Sequence, residues 1–281
     1  MKLAVLSDIH ANLAALEAVV EHLDRWQPDR VIVGGDVINR GPRPRECLEF
    51  VLKRARTAHW QCVLGNHEEY VMTHAASDAA RSGPRFELHR NSFWTYQQLN
   101  GDLSAIAAWP FQQSLWCDAA EVRVVHASTK GTRAGIYAET TEADLRQKIA
   151  PAPAVLIVGH THKPLIRSID QTLVVNVGSV GLPFDGDARA GYGQLTWQGA
   201  PGQAGHWQAA VIRLDYDRDR ADRDFESTGY LDQVGPLAQL IRDELHRARS
   251  NLFEWASVYE QPVLAGDLSA EESVRQYLLG R

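Results

Sequence analysis

The chain has 281 residues, 44% of them hydrophobic, enough to bury one large core or two small ones. Lys and Arg total 29 against 35 Asp and Glu, and the net charge of -6 excludes the basic face of a dedicated nucleic-acid or membrane-surface binder. Cys47, Cys62 and Cys117 form no CxxC pair, which excludes a disulfide framework and a thiolate zinc site, so they are expected as reduced thiols in the cytoplasm.

The apolar start Met1 to Leu6 runs straight into Ser7-Asp8, too short for a signal peptide, and no later run approaches a membrane span. Leu3 to Leu6 reads as a buried strand. Asn12 to Trp26 reads as a helix with Leu13, Leu16, Val19, Val20 and Leu23 on one face. Val31 to Val33 is the next strand, Arg45 to Arg56 the next helix, and Gln61 to Leu64 a third strand. This alternation predicts parallel strands with right-handed crossovers. Residues 68 to 118 break the rhythm. They are rich in aromatics (Phe86, Phe93, Trp94, Tyr96, Trp109, Phe111, Trp116) and read as a mostly helical insertion over the core. These rings are expected to pack the insertion down, with stacking on a nucleobase as the alternative.

The pattern resumes with a strand at Val122 to Val125, a helix at Ala143 to Ile149 and a strand at Val155 to Val158. Strands are then expected at Leu165 to Ile169, Leu173 to Val177, Tyr192 to Trp197 and Gln208 to Leu214, enough for a second sheet packed on the first. The charged run Asp215 to Asp224 marks the end of the core. Helices follow at Gly235 to Ser250 and Ser269 to Leu279, the second with Ser269 and Glu272 at capping-box spacing.

Five of these strands end in metal-ligand residue types. They are Asp8-Ile9-His10, Gly34-Gly35-Asp36, Gly65-Asn66-His67, His126 and Gly159-His160-Thr161-His162. The carboxyl ends of parallel strands share one edge of a sheet, so residues scattered over half the chain should converge in one crevice. Histidine is only 11 of 281 residues, yet four of the five ends carry it, which argues against chance. The set mixes carboxylates, imidazoles and one amide without thiolate, a match for Mn, Fe, Co, Ni or Zn. So many ligands exceed one tetrahedral ion. They suit two ions about 3.5–4 Å apart that share a carboxylate.

These motifs, in this order, resemble those of the calcineurin-like metallophosphoesterases: DxH, GD, GNH, a lone His, and GHxH. The segment Gly35-Asp36-Val37-Ile38-Asn39-Arg40-Gly41 is similar to the GDxxxRG stretch of protein phosphatases and dinucleoside tetraphosphatases. Asn176 to Pro183 resembles the NPGSxGxP loop of small bacterial phosphodiesterases, with Val177 in place of the proline. Asn39 stands where protein phosphatases carry a second aspartate, which weighs against protein phosphatase activity.

The resemblance implies an α/β fold: a four-layer α/β/β/α sandwich of two mixed sheets. The metallophosphoesterase domain would span 1–216, with 68–118 as a cap-like insertion and 217–281 as a helical C-terminal extension. It also implies one metal on Asp8, His10 and His162, another on Asn66, His126 and His160, and Asp36 bridging them. Two divalent transition-metal ions, manganese favoured, would generate a bridging hydroxide as nucleophile. His67 would protonate the departing oxygen, and Arg40 would clamp a phosphoryl oxygen.

The expected activity is hydrolysis of phosphodiester or phosphoanhydride bonds in a small phosphorylated substrate, a nucleotide being one candidate. A phosphomonoesterase ranks second and a Ser/Thr protein phosphatase third. A non-catalytic metal or nucleotide sensor is the rival from another class. Neither a membrane nor a stable nucleic-acid partner is expected.

Overall fold

The computed structural model describes residues 1–199 and 205–280. The amino-terminal half begins with β1 (Lys2–Leu6), α1 (Leu13–Trp26), β2 (Arg30–Val33), α2 (Pro44–Ala58) and β3 (Gln61–Cys62). There follow α3 (Asn66–Met72), a 3-10 turn (Thr73–Ala75), α4 (Pro84–Gln98), α5 (Ser104–Ala107) and the hairpin β4 (Gln112–Cys117) and β5 (Ala120–Val125). Then come α6 (Glu142–Ile149), β6 (Val155–Val158), β7 (Leu165–Ile169), β8 (Thr172–Asn176), β9 (Ala190–Gln198) and β10 (His206–Leu214). Five helices close the chain: α7 (Arg218–Ser227), α8 (Tyr230–Val234), α9 (Leu237–Arg247), α10 (Asn251–Ala265) and α11 (Ala270–Leu279).

The strands form two five-stranded sheets, in the orders β10-β9-β1-β2-β3 and β4-β5-β6-β8-β7. β1, β2 and β3 run parallel, as do β5, β6 and β8. β9, β10, β4 and β7 pair antiparallel. The fold is thus α/β with two mixed sheets flanked by helices, as expected.

Side-chain alternation builds the layers. Leu3 and Val5 of β1 face the second sheet, meeting Val122, Val124, Val155, Ile157 and Val175 in a shared core. Their neighbours Ala4 and Leu6 point the other way, onto Leu16, Val19 and Val20 of α1 and Cys47 and Val51 of α2. On the far side, Leu156, Val158 and Val174 pack on Leu145 and Ile149 of α6. Asn12 starts α1 as a side-chain cap on the Ala15 N–H at 3.1 Å, and Ser269 caps α11 on the Glu272 N–H at 3.1 Å.

The structure departs from the sequence reading in several places. β3 ends at Cys62, and α7 and α8 fall where the sequence reading gives no element. Gln112–Cys117, expected as part of a helical insertion, is a strand, with Leu115 and Cys117 turned toward the inter-sheet core. Asn251–Ala265, given no element from the sequence, is a 15-residue helix. The charged run after Leu214 is largely the polar face of α7, whose Ala221 and Phe225 are buried. No helix among the described residues is long and apolar enough to cross a membrane.

Candidate active site

The five ligand-bearing loops meet at one edge of the two sheets and are held there by backbone hydrogen bonds. Asp8 N–H donates to Gly35 O at 3.1 Å and His10 N–H to Asp36 O at 3.0 Å. Gly159 N–H donates to His126 O at 2.8 Å, joining the fourth motif to the fifth. A glycine is required at 159: a Cβ there would lie 2.1 Å from Ser7 Oγ and 2.3 Å from Asp8 Oδ2. The loop after β8 buttresses the first motif. Ser179 Oγ donates to Asp8 O at 2.7 Å, and Asn176 Nδ2 to Gly159 O at 2.7 Å.

Much of the site sits in left-handed backbone. Asp8, His10, Ala11, Asp36, Asn39, Arg40, His160 and His162 all have φ between +47° and +72°. Such conformations cost of order 1–3 kcal/mol each outside glycine and persist where surrounding structure enforces them.

All seven expected ligands converge and all are buried except His160, which is partly exposed. Asn66 Oδ1 lies 2.9 Å from both His126 Nε2 and His160 Nδ1. Asp36 Oδ2 lies 3.2 Å from His126 Nε2, and Asp8 Oδ1 lies 3.2 Å from His162 Nε2. Neither carboxylate oxygen has a partner in hydrogen-bond geometry, although both are buried. Ligand atoms lie within 4.8 Å of one another in three overlapping groups: Asp8, His10 and His162; Asp8, Asp36 and His126; and His10, Asp36 and His67. The last group draws in His67, which the sequence reading keeps out of the ligand set.

Hydrogen bonds fix the imidazole tautomers. His10 Nδ1 faces Asn39 O at 3.2 Å, and His162 Nδ1 faces Leu182 O at 2.5 Å. Both Nδ1–H groups therefore donate to carbonyls. The two Nε2 atoms are left 3.0 Å apart with lone pairs converging. His126 does likewise, donating Nδ1–H to Gly34 O at 2.8 Å. This is the arrangement by which a protein orients imidazoles toward a cation. Two buried, unpartnered carboxylate oxygens and convergent imidazole lone pairs fit divalent metal ions.

Electrostatics agree. Burial opposes ionisation of Asp36, yet the neighbouring His126, His67 and His10 outweigh it and hold the carboxyl well below its usual range. Asp8 is lowered in the same way, against burial, by His162 and His126. Burial disfavours a charge on His126, but the carboxylates of Asp36 and Asp8 overcome it and push its pKa up to about 10. Burial, then His162, holds His10 far below the usual imidazole range.

Three residues that the sequence reading did not assign to the site shape it. Glu68, fully buried at the third position of α3, accepts from the N–H groups of Asp36 and Val37 at 2.8 Å and of Gly65 at 3.0 Å. Burial and the Asp36 charge raise its pKa to about 7. Its signal was readable: a Glu three residues after Gly65 has capping-box spacing.

Asn39 is the second. Its Oδ1 accepts from Arg40 N–H at 3.0 Å, which turns its Nδ2 toward Ser92 Oγ at 3.0 Å and His67 Nδ1 at 2.9 Å. His67 therefore accepts at Nδ1, and its proton sits on Nε2. Burial holds its pKa down at about 3.

The third is Glu244 of α9, fully buried, which binds Arg40 Nη2 at 2.5 Å and the Leu252 N–H at 2.9 Å. No local pattern announces it, because its partner is 204 positions away. Arg40, expected as a phosphate clamp, is thus already half engaged and lies over the Phe184 ring at 5.5 Å.

A cavity of about 740 Å³ opens over the site, with Arg40, Asn66, His67 and His160 at its inner end. Tyr70 and Leu88 line it, but Trp94 does not. Trp94 is buried, donates to Gln233 Oε1 at 3.0 Å and packs edge-on against Tyr230 of α8.

Two mixed sheets between helices, with a buried cluster of carboxylates and imidazoles at their edge, define a metal-dependent hydrolase. The chain belongs to the calcineurin-like phosphoesterase superfamily, whose domain model matches residues 1–199. Members of this family use divalent metals and act on small phosphorylated substrates. The chain resembles the metallophosphoesterase from Sphaerobacter thermophilus, with 25% identity, a TM-score of 0.64 and coverage of 88% of this chain and 99% of that one. A hypothetical protein from Pyrococcus horikoshii OT3 shares the fold at TM-score 0.68 and 19% identity, covering 84% of this chain and 97% of that one. An uncharacterised protein of Methanocaldococcus jannaschii is 25% identical over 235 residues, 78% of this chain and 89% of its own.

Proposed function

We propose that this phosphoesterase hydrolyses phosphodiester or phosphoanhydride bonds of small or nucleotide substrates with two divalent ions, manganese favoured. The observation that carries this is the pair of convergent Nε2 atoms of His10 and His162, 3.0 Å apart beneath a cavity and beside unpartnered oxygens of Asp8 and Asp36. Asp8, His10 and His162 would hold one ion, Asn66, His126 and His160 the other, and Asp36 would serve both. When bound, the ions supply Lewis-acid charge to the phosphoryl oxygens and lower the pKa of an attacking water.

The protein's own groups do the rest. His67 presents Nε2–H to the departing oxygen, a donor aimed where negative charge develops. Arg40, held by Glu244, offers its remaining N–H groups to a phosphoryl oxygen. Burial of the ligand side chains keeps these charges in a medium that screens them less than water does. Three unpaired cysteines, two of them buried, suit a reducing compartment, and the cytoplasm is the proposed location.

Elemental analysis of active protein should return two transition-metal ions per chain. Asp36→Asn should lose metal and rate together, because the shared charge disappears. Full activity with one ion or none would overturn the dinuclear reading. Failure of metal-loaded protein to turn over any phosphoester would favour a sensor.

A further inference from the structure

The cavity over the ligands has two unlike halves. Its inner end is built from the ligand loops. Much of its outer wall comes from the C-terminal helices: Leu237 of α9, and Leu252, Phe253, Trp255 and Glu260 of α10. All of these lie beyond the 199 residues that match the family. Trp255 is buried among Leu237, Leu240, Val263 and Val274, which fixes α10 in place. Phe253, by contrast, is 75% exposed and lines the cavity. Tyr70, Tyr137 and Phe184 add apolar surface from other elements, and Leu88 of α4 packs with the cluster that holds α10.

The charges of this lining balance. Arg40 and Lys163 face Glu139 and Glu260, and Arg40 already carries Glu244 at 2.5 Å. Burial lowers the pKa of His89, so at neutral pH this ring adds no cation to the lining. A chain of phosphates reaching outward from the ligands would meet two carboxylates and one uncommitted ammonium. Buried phosphate needs paired cationic donors, and without them desolvation is uncompensated. An apolar group of similar size would instead gain from leaving water. The volume, about 740 Å³, is in the range of sites that hold drug-sized ligands, and far exceeds what a phosphate with two methyl groups would fill.

We propose that the substrate is a phosphodiester with a single phosphate, whose second alcohol is bulky, apolar and uncharged and lies against α10 and the rings of Tyr70 and Tyr137. This rests on the phosphoesterase reading above and narrows it against polyphosphates. The C-terminal helix α10 is then the specificity element, while the ligand loops carry out the chemistry.

Calorimetry on the full-length chain, stripped of metal so that no turnover intrudes, tests this directly. Methyl 1-naphthylmethyl phosphate should bind at least tenfold tighter than dimethyl phosphate, and tighter than ATP. Phe253→Ala should remove most of that advantage while the melting curve stays unchanged, as the exposure of the side chain requires. Glu260→Lys, also at an exposed position, should tighten ATP several-fold and leave the naphthyl diester unimproved. Equal binding of the two diesters, or ATP binding tighter than both, overturns the inference. Turnover of methyl p-nitrophenyl phosphate by the manganese-loaded chain is measured in parallel. If that turnover is absent, the phosphoesterase reading fails. If it is present while binding shows no aromatic preference, only the substrate assignment fails.

Discussion

At position 39 an amide stands where a carboxylate would change the chemistry of its neighbour. Asn39 donates to His67 Nδ1 at 2.9 Å, which leaves the proton on Nε2, and in the proposed mechanism the ring would meet substrate as a neutral Nε2–H donor. The sequence reading made His67 a general acid from its place beside Asn66; the tautomer depends on a side-chain contact that spacing does not show. His67→Ala should lose about 10²–10³-fold on alkyl phosphoesters, the usual effect of removing one such donor, and less on p-nitrophenyl esters. The alkyl to p-nitrophenyl rate ratio should be independent of pH in the native enzyme and become pH-dependent in Asn39→Asp. A native ratio that already varies across the neutral range would show that His67 exchanges a proton. His126 supplies a second test. With its pKa pushed up to about 10, it keeps a proton in metal-free protein at neutral pH, and an ion binding at Nε2 must displace it. Metal affinity should therefore rise with pH up to that value. Calorimetry in buffers of different ionisation enthalpy should show proton release on metal binding, and none would contradict the assignment of His126 as a ligand.

Among the elements, the start of α3 carries more than its seven residues suggest. Glu68 satisfies three backbone N–H groups of the second and third ligand loops. Each buried N–H left without a partner costs about 1–3 kcal/mol, so Glu68→Ala should destabilise the chain by roughly 3 kcal/mol or more in urea denaturation. A loss below about 1 kcal/mol would mean that water replaces the carboxylate there. The sequence showed α1, α6, β6 and β7 well because each has a clear apolar face or a compact apolar run between turns. β4 was hidden, since Gln112, Ser114 and Trp116 face outward and dilute its pattern within a region of helical signals. α10 was hidden because its large residues spread around the helix, with Phe253 and Val258 exposed, Trp255 and Val263 buried, and Pro262 inside. No single face declares itself, and the side lining the cavity is legible only once α9 is in place.

Over the whole molecule, motifs on five strand ends were enough to predict that the candidate ligands converge, because parallel strands bring their carboxyl ends to one edge whatever lies between them. The return of the C-terminal helices over that edge was not readable. It depends on the buried pair between Arg40 and Glu244 and on apolar contacts of α7 to α9 with Ala14, Trp94 and Leu182. Arg40→Ala leaves Glu244 buried without its partner and should cost about 3–5 kcal/mol while raising KM. Arg40→Lys should recover most of the stability but not the KM, because an ammonium restores the charge without the fork. Recovery of both would reduce Arg40 to a tether. The left-handed backbone of the ligand loops has a further consequence for how substitutions would be tolerated. Asp8, His10, Asp36, His160 and His162 occupy conformations that glycine adopts freely. A library screened only for folded protein should tolerate or favour glycine at these five positions. The same library screened for turnover should reject it. The two maps should agree through the strands of the core and diverge here, so a folding screen alone would enrich inactive chains.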